Sequence, residues 1–182
     1  MKKKNLYKIC ESAILIALSL ALMPIEIPGP AFGGDIDLVM IPLFILAYRN
    51  GPFYGIMGAG VFGFLKCLIG GGIGWGLPSI LLDYVLAYAA VGVAGFFAGK
   101  YWAVELSTFV GCLARFIIHF ISGITLYMIT VPTEIESIGT FANPVIYSIV
   151  YNALYMLPNT VIAIIVMSLL RHPIKKLGKI GK

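Results

Sequence analysis

Arg115, His119, Gly123 and Tyr127 recur every four residues in the stretch RFIIHFISGITLY, so on a helix they share one slowly drifting face. The residues between them are mostly Ile, Phe and Leu. A stripe of guanidinium, imidazole and phenol is costly in such surroundings unless it faces a protein interior or a cavity. The glycine removes side-chain bulk where something can approach closely. Two readings stand side by side. One is interhelical glue, with the Arg and His satisfied by carbonyls across a helix interface. The other is one wall of a binding pocket.

Asp83 lies inside a second apolar run, SILLDYVLAY. An ionised carboxylate there costs about 3 kcal/mol on insertion scales unless it is partnered. It is either half of a structural pair with Lys66 or Arg115, or it serves a ligand as counter-ion to a cation or as acceptor for its donors. Tyr84 and Tyr88 follow, and aromatics near a membrane interface are ordinarily belt residues. Tyr147, Tyr151 and Tyr155 are again four apart. Their stripe descends about two turns, whereas a belt holds one level. Asn152 beside them is both donor and acceptor, suited to a heterocycle edge or to bonds between helices. Pro158 is expected to kink its helix or free a carbonyl. One carboxylate, one imidazole, an amide and several aromatics suit a flat, cationic or hydrogen-bonding heterocycle. Each aromatic face attracts a cation by about 0.5–2 kcal/mol, and a desolvated carboxylate adds to this.

Other chemistries find less support. The segment 95–101, GFFAGKY, lacks the spacing and the Ser or Thr of a phosphate loop. The glycine-rich 70–76 stretch has no strand–helix setting for a dinucleotide fingerprint. His119 and His172 are far apart with no ligand partner at metal spacing, and Cys10, Cys67 and Cys112 are scattered, so no metal or cofactor is expected.

The elements that must position these residues are membrane spans. Of 182 residues, 60% are hydrophobic and 12% charged, more apolar surface than a soluble domain can hide. The fold is expected to be all-α and polytopic, the whole chain 1–182 forming one integral-membrane unit. Six transmembrane helices are expected at about 8–23, 38–48, 53–69, 77–98, 103–129 and 144–170, the second of them short. The basic, apolar N-terminus also resembles a signal peptide, with Ser19-Leu20-Ala21 a passable cleavage site. Its length and its small residues favour a retained helix. Ala13, Ala17 and Ala21 make a flat AxxxAxxxA face for another helix, inside this chain or on another subunit.

The net charge of +5 is a topology signal. Lys2, Lys3, Lys4 and Lys8 precede the first span, Arg49 and Lys100 occupy the turns after the second and fourth, and five Lys or Arg lie from Arg171 onward. The alternate loops hold Glu26, Asp35, Asp37, Glu134 and Glu136 and no Lys or Arg. The positive-inside rule therefore puts both termini in the cytoplasm. No internal repeat suggests an inverted-repeat carrier.

Several segments together are similar to one family: the alanine face, GGDIDLVMIPLFILAYRNG, LLDYVLAYAAVGVAG, RFIIHFISG and YSIVYNALYMLPN. From about Lys8 to Leu170 the chain resembles the thiamine-specific S component, the substrate-binding membrane subunit of energy-coupling factor (ECF) transporters. The resemblance implies a bacterial cell-membrane protein of six helices that captures thiamine from outside without chemistry on it. It implies that Asp83 stands where the family places an acid against the ligand. His119, Gly123, Tyr147 and Asn152 match ligand-lining positions on the fifth and sixth helices. Tyr127 falls where some members have a stacking Trp, and Phe32 and Trp75 are the nearest candidates for loop aromatics. It implies docking through Ala13, Ala17 and Ala21 on a transmembrane coupling subunit joined to two ATPases, which alone use ATP. The alternatives are an S component for another vitamin or precursor such as a pyrimidine, an intramembrane enzyme with Asp83 and His119 as acid and base, and a purely structural membrane protein.

Overall fold

Six helices follow one another where the apolar runs place them: α1 Lys3–Leu22, α2 Met40–Asn50, α3 Pro52–Ile69, α4 Leu77–Phe97, α5 Val104–Thr130 and α6 Pro144–Lys176. The computed structural model describes residues 3–29, 34–130, 134–135 and 138–176. Five of the helices, all but α2, are long and apolar enough to cross a bilayer. The chain is thus an all-α, multi-pass membrane protein.

The second helix is short, as expected, and does not by itself reach across a bilayer. Its 11 residues rise about 16 Å, roughly half the hydrocarbon thickness. Eight of the 11 are buried, which makes α2 a core element rather than a lipid-facing one. The sequence MIPLFILAY is apolar on every side, and α1, α3, α4 and α6 surround it. Leu43, Phe44 and Ala47 pack with Ala59, Phe62, Tyr88 and Val91. Close approach of α3 and α4 depends on Gly92, where a Cβ would overlap the Ile56 backbone.

Two short hairpins were not foreseen in the loops. Strand β1 (Glu26–Pro28) pairs antiparallel with β2 (Asp35–Asp37), Ile27 opposite Ile36. Strand β3 (Glu134–Ile135) pairs with β4 (Gly139–Thr140). The β2 edge is held by Asn159 on α6. The Asp37 N–H donates to Asn159 Oδ1 (2.9 Å), and Asn159 Nδ2 donates to the Asp35 carbonyl (2.7 Å). Strand polar groups away from water need such partners, and a side-chain amide offers both a donor and an acceptor at once.

The helix ends that carry the basic turns are tied by ion pairs. Glu11 on α1 accepts from Arg49 Nε and from Asn50 Nδ2, and Lys8 donates to the Asn50 carbonyl. Glu105 accepts from Ser168 Oγ (2.9 Å) and lies 3.5 Å from Arg171. Helix α6 runs unbroken through Pro158 and Pro173, past the expected end near residue 170. Pro158 thus lies within the helix and does not end it.

Candidate functional site

Helix α4 is not a regular α-helix. Ile80–Leu86, ILLDYVL, forms a π-helical segment centred on Asp83. The wider i→i+5 turn places residues five apart on one side, and such segments recur at functional sites. Ser79, Asp83, Tyr84 and Tyr88 consequently all face one cavity of about 270 Å³, the scale of a small metabolite. Helix α5 contributes Arg115, His119 and Gly123, and α6 contributes Tyr147, Ser148, Tyr151, Asn152 and Tyr155. Lys66 on α3, Asp35 and Asp37 on β2, and Trp75 complete the wall.

Asp83 does not pair with Lys66 or Arg115, the two structural partners that the sequence suggests. Its Oδ1 lies 3.3 Å from His119 Nδ1, and its Oδ2 accepts from Ser79 Oγ at 2.9 Å. Lys66 instead donates to Asp37 Oδ2 at 3.1 Å. Arg115 sits one turn before His119, so the imidazole stands between the guanidinium and Asp83. The Arg115 Nε donates to His119 Nε2 at 3.3 Å, and its guanidinium lies 4.2 Å above the Tyr88 ring. Lys66 Nζ also lies near that ring, 5.6 Å from its centre. Tyr88 is therefore no belt residue but a buried platform for two cations.

The α5–α6 contact is built on Gly123. A Cβ there would run into Ser148 Oγ, which itself donates to the Phe120 carbonyl at 3.0 Å. Asn152 Nδ2 donates to the Ser148 carbonyl (2.8 Å), and Asn152 Oδ1 accepts from the Tyr155 hydroxyl (2.7 Å). Ser148 and Asn152 both border the cavity and both reach α5, Ser148 at the Phe120 carbonyl and Asn152 Nδ2 at the His119 carbonyl, 3.4 Å away. The tyrosine stripe is continuous, with Tyr147–Tyr151 ring centres 5.7 Å apart and Tyr151–Tyr155 6.1 Å apart.

Trp75 is 67% exposed and stands in the one-turn 3₁₀ segment Gly72–Trp75 before α4, at the rim of the cavity. Tyr127 falls in the last turn of α5; its side chain, and Phe32 entirely, lie outside the described residues. Sequence reasoning undervalued Lys66 and Asp37. The signal was available in Lys66, a lone cation in an otherwise apolar, glycine-rich span.

Three carboxylates (Asp35, Asp37, Asp83) line the cavity against two permanent cations (Lys66, Arg115). The carboxylates outnumber the cations by one, and the direct partners of Asp83 are Ser79 and His119 rather than Lys66 or Arg115. Bundle and cavity together define a multi-pass membrane protein with a polar, aromatic-lined cavity between its helices.

The chain belongs to the thiamine transporter protein family (Thia_YuaJ), whose match covers residues 9–179. It is 31% identical to the thiamine transporter ThiT of Bacillus subtilis (strain 168), over 100% of this chain and 98% of that protein. It is 30% identical to ThiT of Lacticaseibacillus paracasei, over 92% of this chain and 88% of that protein. A solved structure of ThiT from Listeria monocytogenes shares the fold, with a TM-score of 0.80 at 22% identity, covering 96% of this chain and 98% of that one. The resemblance seen in the sequence is thereby borne out at the level of the family. The family is one of transporters, so the reading of Asp83 and His119 as an enzymatic acid and base is set aside.

Proposed function

We propose that this chain binds thiamine in the cavity between α4, α5 and α6 and acts as the substrate-capturing subunit of an ECF-type vitamin transporter. The observation that carries the reading is the Asp83 carboxylate, held by Ser79 and His119 and bonded to neither Lys66 nor Arg115, and so able to balance a ligand's positive charge. Thiamine brings a cationic thiazolium and a flat aminopyrimidine, which match a carboxylate set among tyrosines. Asp83 serves as the counter-ion and His119 orients it. Tyr147 and Trp75 supply aromatic surface, with Tyr127 and Phe32 as further candidates. Gly123 and Asn152 hold the α5–α6 wall in shape. The test is a calorimetric titration of the ligand-free protein in detergent, with riboflavin, biotin and pyridoxine as controls. Selective, saturable thiamine binding is expected. A folded sample that ignores thiamine ends the reading, and preference for another vitamin or a pyrimidine points to a different S component.

Both termini and the Arg49 and Lys100 turns face the cytoplasm in this proposal, on the strength of the loop charges. The cavity then opens toward the outer face. Ala13, Ala17 and Ala21 are all exposed on α1, the least buried of the spans. That flat face supports docking on an ECF transmembrane coupling subunit, with two ATPase subunits beneath supplying the energy. Ala17→Leu is accordingly expected to leave thiamine titrations unchanged and to abolish uptake by cells carrying the whole complex. Normal uptake by that variant would remove α1 as the docking element.

A further inference from the structure

We propose that Arg115 is a positioning residue: it sets the hydrogen-bonding state of His119 and thereby leaves the Asp83 charge available to a cationic ligand. The N–H groups of a guanidinium only donate, so His119 Nε2, 3.3 Å from Arg115 Nε, must present a lone pair. A neutral imidazole with a lone pair on Nε2 carries its hydrogen on Nδ1. That hydrogen meets Asp83 Oδ1 at 3.3 Å, and a carboxylate accepts it. Donation therefore runs one way, from Arg115 to His119 to Asp83, and Ser79 Oγ donates to the other carboxylate oxygen.

The direction of this chain has a consequence for binding. A neutral His119 orients Asp83 without cancelling its charge. An imidazolium would oppose N–H to N–H at Arg115 and neutralise Asp83, leaving a cationic ligand with no counter-ion. Arg115 is itself fixed, only 6% exposed and stacked on Tyr88. The other charged or titratable groups around His119 do not compete for Nε2 among the described contacts. Lys66 on α3 is bound to Asp37, and Asp83 on α4 takes Nδ1. Tyr155 on α6 meets His119 edge-on at 6.0 Å and gives its hydroxyl to Asn152, while Tyr88 on α4 lies under Arg115.

The part of this inference that concerns a cationic ligand rests on the thiamine reading; the part that concerns His119 does not. The full chain has two histidines, His119 and His172, so ¹⁵N-histidine labelling with His172→Gln as an assignment control isolates the His119 signals. Two-bond nitrogen–proton spectra of the wild type in detergent are expected to show neutral, Nδ1-protonated His119 from about pH 5.5 to 8. Arg115→Met removes the donor, and His119 is then expected to change tautomer or to protonate on acidification. Thiamine affinity, flat with pH in the wild type, should fall in Arg115→Met by on the order of tenfold across that range. Arg115→Lys still donates and should retain the wild-type spectrum. An Nε2-protonated or cationic His119 in the neutral wild type overturns the proposal. So does an Arg115→Met variant with unchanged tautomer and flat profile. If Arg115→Met does not fold, the wild-type and Arg115→Lys spectra decide. If the wild type binds no thiamine, the spectra still test the positioning role by themselves.

Discussion

Asp83→Asn is expected to weaken thiamine binding by roughly two orders of magnitude while leaving the protein folded. Asparagine keeps the shape and an oxygen to accept from His119, so the α4–α5 contact survives. Only the charge goes. Losing one partner of a desolvated charge pair costs about 3 kcal/mol, a factor of about 150 in Kd. Asp83 is 20% exposed, and the other carboxylates of the cavity are poor substitutes. Asp37 is engaged by Lys66, and Asp35 lies on β2 rather than on α4. Calorimetric titration of wild type and variant side by side gives the ratio. A change of less than about threefold would mean that the ligand's charge is balanced elsewhere and that Asp83 is only a structural partner of His119.

Lys66→Met is expected to be the most damaging single change to stability. It leaves the Asp37 carboxylate, 3% exposed, without its cation. Breaking a buried pair from one side costs about 3–5 kcal/mol, which corresponds to a fall of roughly 10 °C in the melting temperature. The double variant Lys66→Met with Asp37→Asn should recover most of this loss, because both charges are gone. Asn159 still holds the β2 backbone in either variant, since it bonds to main-chain atoms. Thermal melts of the purified proteins in detergent decide the matter. If the single variant melts with the wild type, the pair is a surface contact in effect and the account of it fails.

The ion pair and the carboxylate differ in how far they could be read from the sequence. Asp83 and His119 announce themselves as polar groups inside apolar runs, and four-residue spacing assigns Arg115, His119 and Gly123 to one face. The tyrosine stripe of α6 is legible for the same reason. Spacing within a helix says which residues share a side, but it does not say which side meets which neighbour. Partner choice was therefore missed: His119 rather than Lys66 or Arg115 for Asp83, and Asp37 for Lys66. The β1–β2 hairpin was missed because three-residue strands among prolines and glycines carry no readable alternation.

The amino-acid sequence by itself determined that this is a multi-pass helical membrane protein, because hydrocarbon admits only long apolar segments with internally satisfied backbones. It also determined where those segments start and stop, to within a few residues for α2 to α5, through Gly and Pro at the turns. Only the tertiary structure decided that α2 is a buried core helix, that α4 widens into a π-segment at Asp83, and that one cavity gathers residues from four helices and a hairpin. The physical reason is common to all three. Each depends on a contact between elements distant in sequence, and the free energy of such a contact is set by the shape and polarity of the partner, which no local pattern encodes.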